Sequence, residues 1–170
     1  MQIRKVSEPL SSPELDDLTS LLVDAVENGA SLGFLKPLEE ARARTYWEGV
    51  CQAVQHGDKA LLVAEIGEAI LGTVQVVLDM PQNQPHRGEV SKMIVHSKVR
   101  QVGLGTRLLD AAEEWARYAG KSLLVLDTQT GSAAEHLYRK AGYNPLPPLP
   151  DYALTPDGVL AATTIFWKRI

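Results

Sequence analysis

The chain has 170 residues, 45% of them hydrophobic and 22% charged, which suits one globular domain that can bury its core without disulfides or a structural metal. A net charge of −4 with no dense Lys/Arg block argues against nucleic acid or an anionic membrane as main partner. Cys51 is the lone cysteine, and His56, His86, His96 and His136 stand singly without metal-ligand spacing, so no metal site is expected and a reducing, cytoplasmic setting is. The N-terminus lacks the apolar stretch of a signal peptide, and no apolar run nears the roughly 20 residues that span a bilayer.

Residues 1–6 read as a short strand. Pro13 opens a helix whose Leu15, Leu18, Leu22 and Ala25 share one face, and Gly29 ends it. The stretch from Gly29 to Phe34 is an irregular connection carrying an apolar aromatic. A second helix follows Pro37 and stops near Gly57. The period then changes, with apolar, β-branched runs at 61–64 and 69–78 flanking a tight turn. Residues 81–88 form a polar loop punctuated by proline, and a strand runs from Glu89 to Val95. Leu104, Leu108, Ala112, Trp115 and Ala119 line one face of an amphipathic helix closed by Gly120. Residues 123–126 form a short apolar strand. Ser132 caps a further helix, with Glu135 at the capping-box position and Gly142 at its end. A proline-rich turn at 145–150 and a turn signal at 155–158 precede a last strand, 163–168. The order β-α-α-β-β-β-α-β-α-β-β predicts an α/β mixed sheet in a single domain, residues 1–170.

The sharpest motif is Arg100-Gln101-Val102-Gly103-Leu104-Gly105-Thr106, between a strand and a strongly periodic helix. Its glycines allow a tight turn, and the first N–H groups of the helix lack internal partners, so backbone alone can build an anion pocket suited to a pyrophosphate. Arg100 can add a full charge. A P-loop requires Lys-Ser/Thr after its glycines, and a dinucleotide fingerprint a third glycine at Leu108; both fail on spacing. A glycine-rich helix start without a ligand is the alternative reading.

Strand, R-x-x-G-x-G loop and amphipathic helix together resemble the coenzyme A-binding motif of the GNAT superfamily of N-acetyltransferases. Leu137-Tyr138-Arg139-Lys140-Ala141-Gly142-Tyr143 is similar to that family's late helix, and the element order agrees over nearly the whole chain. Ser97 departs from the pattern, which often has proline there, as does Gly131, where asparagine is frequent. The resemblance implies a mostly antiparallel sheet flanked by helices, with a splayed strand pair that binds acetyl-CoA as co-substrate. It further implies that the backbone of Met93, Ile94 and Val95 pairs with the pantetheine arm and that residues 100–106 hold the pyrophosphate. Ser132 could supply a hydroxyl to the cofactor. Tyr138 takes the place of the family's tyrosine near the thioester sulfur, a general acid for the leaving thiolate; read without the family, it is a core aromatic.

Acetyl transfer to an amine also requires removal of the ammonium proton. Glu89 and Asp127 flank apolar strands that this topology makes neighbours, and either can accept that proton directly or through water. Their alternatives are a solvated strand start and a turn cap. Phe34, with both carboxylates, is the candidate for acceptor contact. Cys51 has no His–acid pattern around it, which disfavours an acyl-cysteine route. The expected activity is direct acetyl transfer to a small-molecule amine, with detoxification or antibiotic resistance as one setting and a homodimer allowed. Two alternatives stand beside it. Acetylation of protein N-termini or lysines would favour an open groove. A CoA- or metabolite-binding module without turnover is opposed by the presence of both Tyr138 and Asp127.

Overall fold

The computed structural model describes residues 1–100 and 103–170. Strand β1 (Gln2–Lys5) leads to helices α1 (Ser12–Glu27) and α2 (Glu40–His56). Strands β2 (Lys59–Ile66), β3 (Ala69–Val77) and β4 (Arg87–Val95) follow, then α3 (Leu104–Tyr118), β5 (Leu123–Gln129) and α4 (Ala133–Lys140). Strands β6 (Asn144–Pro145), β7 (Leu149–Leu154) and β8 (Leu160–Arg169) complete one eight-stranded sheet of order β1-β2-β3-β4-β5-β8-β6, with β7 also on β8. Every pairing is antiparallel except β4 with β5. The mixed, mostly antiparallel sheet expected from the sequence is therefore present.

The helices cover both faces. Leu18, Leu21 and Leu22 of α1 and Trp47 of α2 are buried with Leu61, Val63 and Ile94 on one face. Leu104, Leu108 and Ala112 of α3 and Tyr138 of α4 are buried with Val74, Val76, Val90, Leu124, Leu126 and Phe166 on the other. Because strand side chains alternate, this division decides which polar residues face which side. At the start of α1 the backbone amide of the N-cap residue Ser11 donates to Glu14 Oε2 at 2.7 Å, the reciprocal half of a capping box.

β2 and β4 begin two residues earlier than the sequence reading placed them, and larger differences lie in the second half of the sheet. β5 runs on through Asp127 to Gln129, so Asp127 lies inside the strand opposite Ile165 of β8 rather than after its end. Pairing with β8, not hydrophobicity, extends it. The segment 145–150 is not simply a turn. It contains Pro145 of β6 and enters β7, and prolines are tolerated because both strands sit at the sheet's edge. The last strand begins at Leu160, not Thr163.

Lys168 of β8 ties the far half together. Its ammonium donates to both oxygens of Glu113 on α3 at 2.7 and 2.8 Å, and to the carbonyl of Ala141 behind α4 at 2.9 Å. Glu113 is 5% exposed and its other partner is Arg117 at 3.3 Å, so removing Lys168 leaves a buried charge held by one long bond. Lys168→Met is expected to cost about 2–3 kcal/mol in urea unfolding, and the added change Glu113→Leu to return most of that loss.

Candidate active site

β4 and β5 pair only at Arg87–Leu123, Gly88–Leu124 and Glu89–Val125, and then diverge. Glu89 thus stands at the apex of a V that opens toward the C-terminal ends of both strands. A bulge shapes the β4 arm. Gln75 pairs with Ser91 and Thr73 with Ile94, so Lys92 and Met93 together oppose the single residue Val74, and Lys92 takes φ +50°. Past the bulge, the His96 amide donates to the Leu71 carbonyl at 2.9 Å. Alternation from that bond turns the main-chain groups of Ile94 to β3 and those of Met93 and Val95 to the open edge. The Arg100 Nε–H donates to the Val95 carbonyl at 3.2 Å, as that direction requires.

The loop before α3 continues from this edge. Gln101 and Val102 lie outside the described residues. Gly103 is the N-cap of α3 at φ +79°, and the first bond of the helix runs from the Arg107 amide to the Gly103 carbonyl, 3.2 Å. The amides of Leu104, Gly105 and Thr106 therefore have no partner inside the helix, and Thr106 is exposed beside them. Gly105 needs its missing side chain for a reason beyond anion approach: a Cβ there would meet Leu137 Cδ2 of α4 at 3.2 Å. Asp24 at the end of α1 anchors the loop's other flank. It accepts from the Ser97 amide at 2.8 Å and the Ser97 hydroxyl at 2.7 Å, and this is what the departure from proline at 97 provides. Burial opposes ionisation of Asp24. The Ser97 bonds and the His96 and Arg100 charges outweigh it and hold the carboxyl below its usual range.

The candidate catalytic groups fall on opposite faces. Tyr138 lies under α4 with its ring 5.9 Å from Tyr143 and 6.1 Å from Phe166, and is 5% exposed. Burial, and then the charge of Asp127, push its phenol well above the ordinary value, so it keeps its proton. Ser132, the N-cap of α4, accepts from the Glu135 amide at 3.2 Å, and its hydroxyl lies 3.2 Å from that of Thr128. Val90, Leu124 and Leu126 point to the α3 face, so Glu89 and Asp127 point to the α1–α2 face. Asp127 is exposed there, and Glu89 lies 3.8 Å from Arg87. Phe34 packs edge-on against Tyr46 of α2 at 5.5 Å between centroids.

The same face holds residues that the sequence reading passed over. Tyr46, Lys59, Gln75 and Lys92 form a polar group against the strands, and the Gln75 amide donates to the Tyr46 hydroxyl at 2.9 Å. Gln75 within Val74-Gln75-Val76 and Lys92 within Val90-Ser91-Lys92-Met93-Ile94 were the available signals: polar side chains inside apolar strands.

An unpaired strand edge beside a helix with free N-terminal amides can take an extended ligand that carries an anionic group. Residues 17–143 match the acetyltransferase (GNAT) family, and the chain belongs to it. It is 31% identical over 124 residues, 72% of each chain, to an uncharacterized N-acetyltransferase of the hisH–hisA intergenic region of Azospirillum brasilense. It is 33% identical over 106 residues, 62% of this chain and 67% of the other, to IAA acetyltransferase from the same organism. The fold also matches ribosomal-protein-alanine N-acetyltransferase from Brucella melitensis, with TM-score 0.81 and 23% identity over the full length of both chains. It matches yncA of Salmonella typhimurium, solved with its cofactor acetyl-CoA, with TM-score 0.79 and 18% identity over 99% of this chain and 94% of that one. The protein is a GNAT acetyltransferase that uses acetyl-CoA. Among the described residues no group of His, Cys, Asp and Glu is arranged to hold a metal ion, and no helix is long and apolar enough to cross a membrane.

The two loop glycines should respond differently to a side chain. Gly105→Val overpacks Leu137 and is expected to cost about 1–3 kcal/mol, with recovery on adding Leu137→Ala. Gly103→Val meets open space but is strained by its positive φ, so Leu137→Ala should not rescue it. Urea unfolding of the four variants checks both outcomes.

Proposed function

We propose that this enzyme transfers the acetyl group of acetyl-CoA directly to the amine of a small molecule held on the α1–α2 face of the V. The observation that carries this reading is a tie across the mouth of the V. The Lys36 amide, in the α1–α2 connection, donates to the Pro156 carbonyl at 2.9 Å, and the Lys36 ammonium lies 3.2 Å from Asp157. Pro156 and Asp157 belong to the β7–β8 turn, beyond the open end of β5. The tie joins the two halves of the sheet where β4 and β5 do not. A tie between two loops at that end restricts access from that side, which favours a small amine over a lysine side chain on a folded protein. Gly29–Phe34, Glu89-Val90, Leu126–Thr128, Gly131-Ser132 and Thr155–Gly158 also resemble segments of the tabtoxin resistance protein, a GNAT enzyme that detoxifies a small β-lactam. That resemblance supports the same acceptor size and a detoxifying role.

Acetyl-CoA supplies an electrophilic thioester carbon. On this reading the Leu104, Gly105 and Thr106 amides, with Arg100, take its pyrophosphate, and the open-edge amides and carbonyls of Met93 and Val95 hold the extended arm as an added strand. Asp127 holds the incoming ammonium and accepts its proton directly or through water, with Glu89 at the apex as the second acceptor. Tyr138, on the other face, moves its phenolic proton to the departing sulfur. Burial suits it to that task, because an ionised phenol could only accept.

Thiol release from acetyl-CoA, measured against a panel of small amines, peptides and folded proteins, tests the reading directly. Small amines should be turned over; activity confined to peptides or proteins would reject it. With an acceptor in hand, Tyr138→Phe is expected to lower kcat by roughly 10²–10⁴-fold at nearly unchanged affinity for CoA. Asp127→Asn should raise KM for the amine and lower kcat. The ratio of wild-type to variant kcat/KM should be largest at low pH and shrink as pH rises, because more of the amine then arrives neutral and needs no anchor. A ratio that stays flat across pH would assign proton removal elsewhere.

A further inference from the structure

Lys92 is a cation set among apolar strands on the acceptor face, and the backbone is bent to put it there. A lysine at φ +50° occupies the left-handed region that a Cβ disfavours by roughly 1–2 kcal/mol. Without the bulge, alternation would place Lys92 on the same face as Val90, under α3. With it, the ammonium stands 5.9 Å from the centroid of the Tyr46 ring on α2. Among the described residues no carboxylate forms an ion pair with it, although Asp127 and Glu89 are close enough for their charges to bear on it. A second cation stands behind. Lys59 Nζ donates to Gln75 Oε1 at 3.4 Å, which orients the Gln75 amide so that its Nε2 donates to the Tyr46 hydroxyl. The Tyr46 oxygen is thereby an acceptor toward Gln75, and its own hydrogen remains free to donate.

We propose that Lys92 and the Tyr46 hydroxyl form an anion subsite that takes the carboxylate of the acceptor, so that the substrate class is a small amino acid or a close analogue. The inference rests on the α1–α2 face being the amine site. One half-buried ammonium and one hydroxyl match a singly charged carboxylate. A phosphate dianion would bring more charge than they balance, beside Asp127 and Glu89. A zwitterion, by contrast, presents its ammonium to those carboxylates and its carboxylate to Lys92 in one pose, and desolvation makes each pairing stronger than in water.

The test uses the full chain with acetyl-CoA and matched sets of amino acids, their carboxamides, their phosphonate analogues and the corresponding decarboxylated amines. The acids should have the highest kcat/KM. Lys92→Met should lower it by roughly 10–100-fold for the acids, closing most of their advantage over the carboxamides, and Tyr46→Phe should act in the same direction by about a factor of ten. Unchanged affinity for CoA confirms that each variant is folded. Carboxamides turned over as well as acids, phosphonates preferred, or a Lys92→Met loss equal for all acceptors would overturn the subsite while leaving acetylation of small amines intact. Calorimetry of N-acetyl amino acids and N-acetyl carboxamides against the CoA-loaded protein reads the subsite without turnover. Tighter binding of the acids, lost in Lys92→Met, supports it even if no small amine is acetylated, in which case the proposed function fails alone; equal binding of acids and carboxamides overturns it.

Discussion

Backbone N–H and C=O groups on a strand must be bonded to something, and each one buried without a partner costs about 1–3 kcal/mol. β4 and β5 pair at three positions and then part, so two strand edges in the middle of the sheet are left open. An outer strand would leave such an edge to water; here it lies between helices on both faces. The Val95 carbonyl has recruited Arg100, and the outward groups of Met93 and Val95 remain suited to an extended ligand with amides of its own. The open edge also determines where the anion loop falls, because α3 starts just beyond the end of β4.

The parted strands also separate the chemistry by face. On the α3–α4 side, Tyr138 is enclosed by aromatic rings and keeps its proton. On the α1–α2 side stand Glu89, Asp127, Lys59 and Lys92, whose charges bear on one another, and the Lys36 amide bonds the Pro156 carbonyl. The burial that holds a phenol neutral also pulls the Lys92 ammonium below its usual range, with Lys59 adding to the effect and Asp127 and Glu89 opposing it. On the proposed reading, the group that gives a proton and the groups that take one thus stand in unlike surroundings on opposite faces of the parted strands, with the reacting atoms meeting between them.

Much of this was legible in the residues. The glycine loop, the Ser132 cap and the amphipathic face of α3 each follow a local rule, and each stands where the rule puts it. What depends on pairing between distant segments was not legible. Asp127 belongs to a strand because β8 lies beside it, and nothing in Asp127-Thr128-Gln129 announces that partner. Gly105 reads as a phosphate-loop glycine, yet its closest constraint is Leu137, on another helix. The one-residue bulge reverses which face Lys92 occupies, and a period-two reading carried across it assigns that side chain to the wrong side. Gln75 and Tyr46 meet only because α2 packs on β2, the neighbour of β3, so their bond could not be read from spacing.

The central claim is that the open edge of β4 receives the co-substrate as an added strand. Amide hydrogen exchange by NMR, residue by residue, with and without acetyl-CoA, tests it most directly. The Ile94 amide, turned to β3, should be protected in both states. The Met93 and Val95 amides should exchange readily in the free protein and become protected when acetyl-CoA is saturating. Met93 and Val95 amides already protected without ligand, or unaffected by it, would contradict the account.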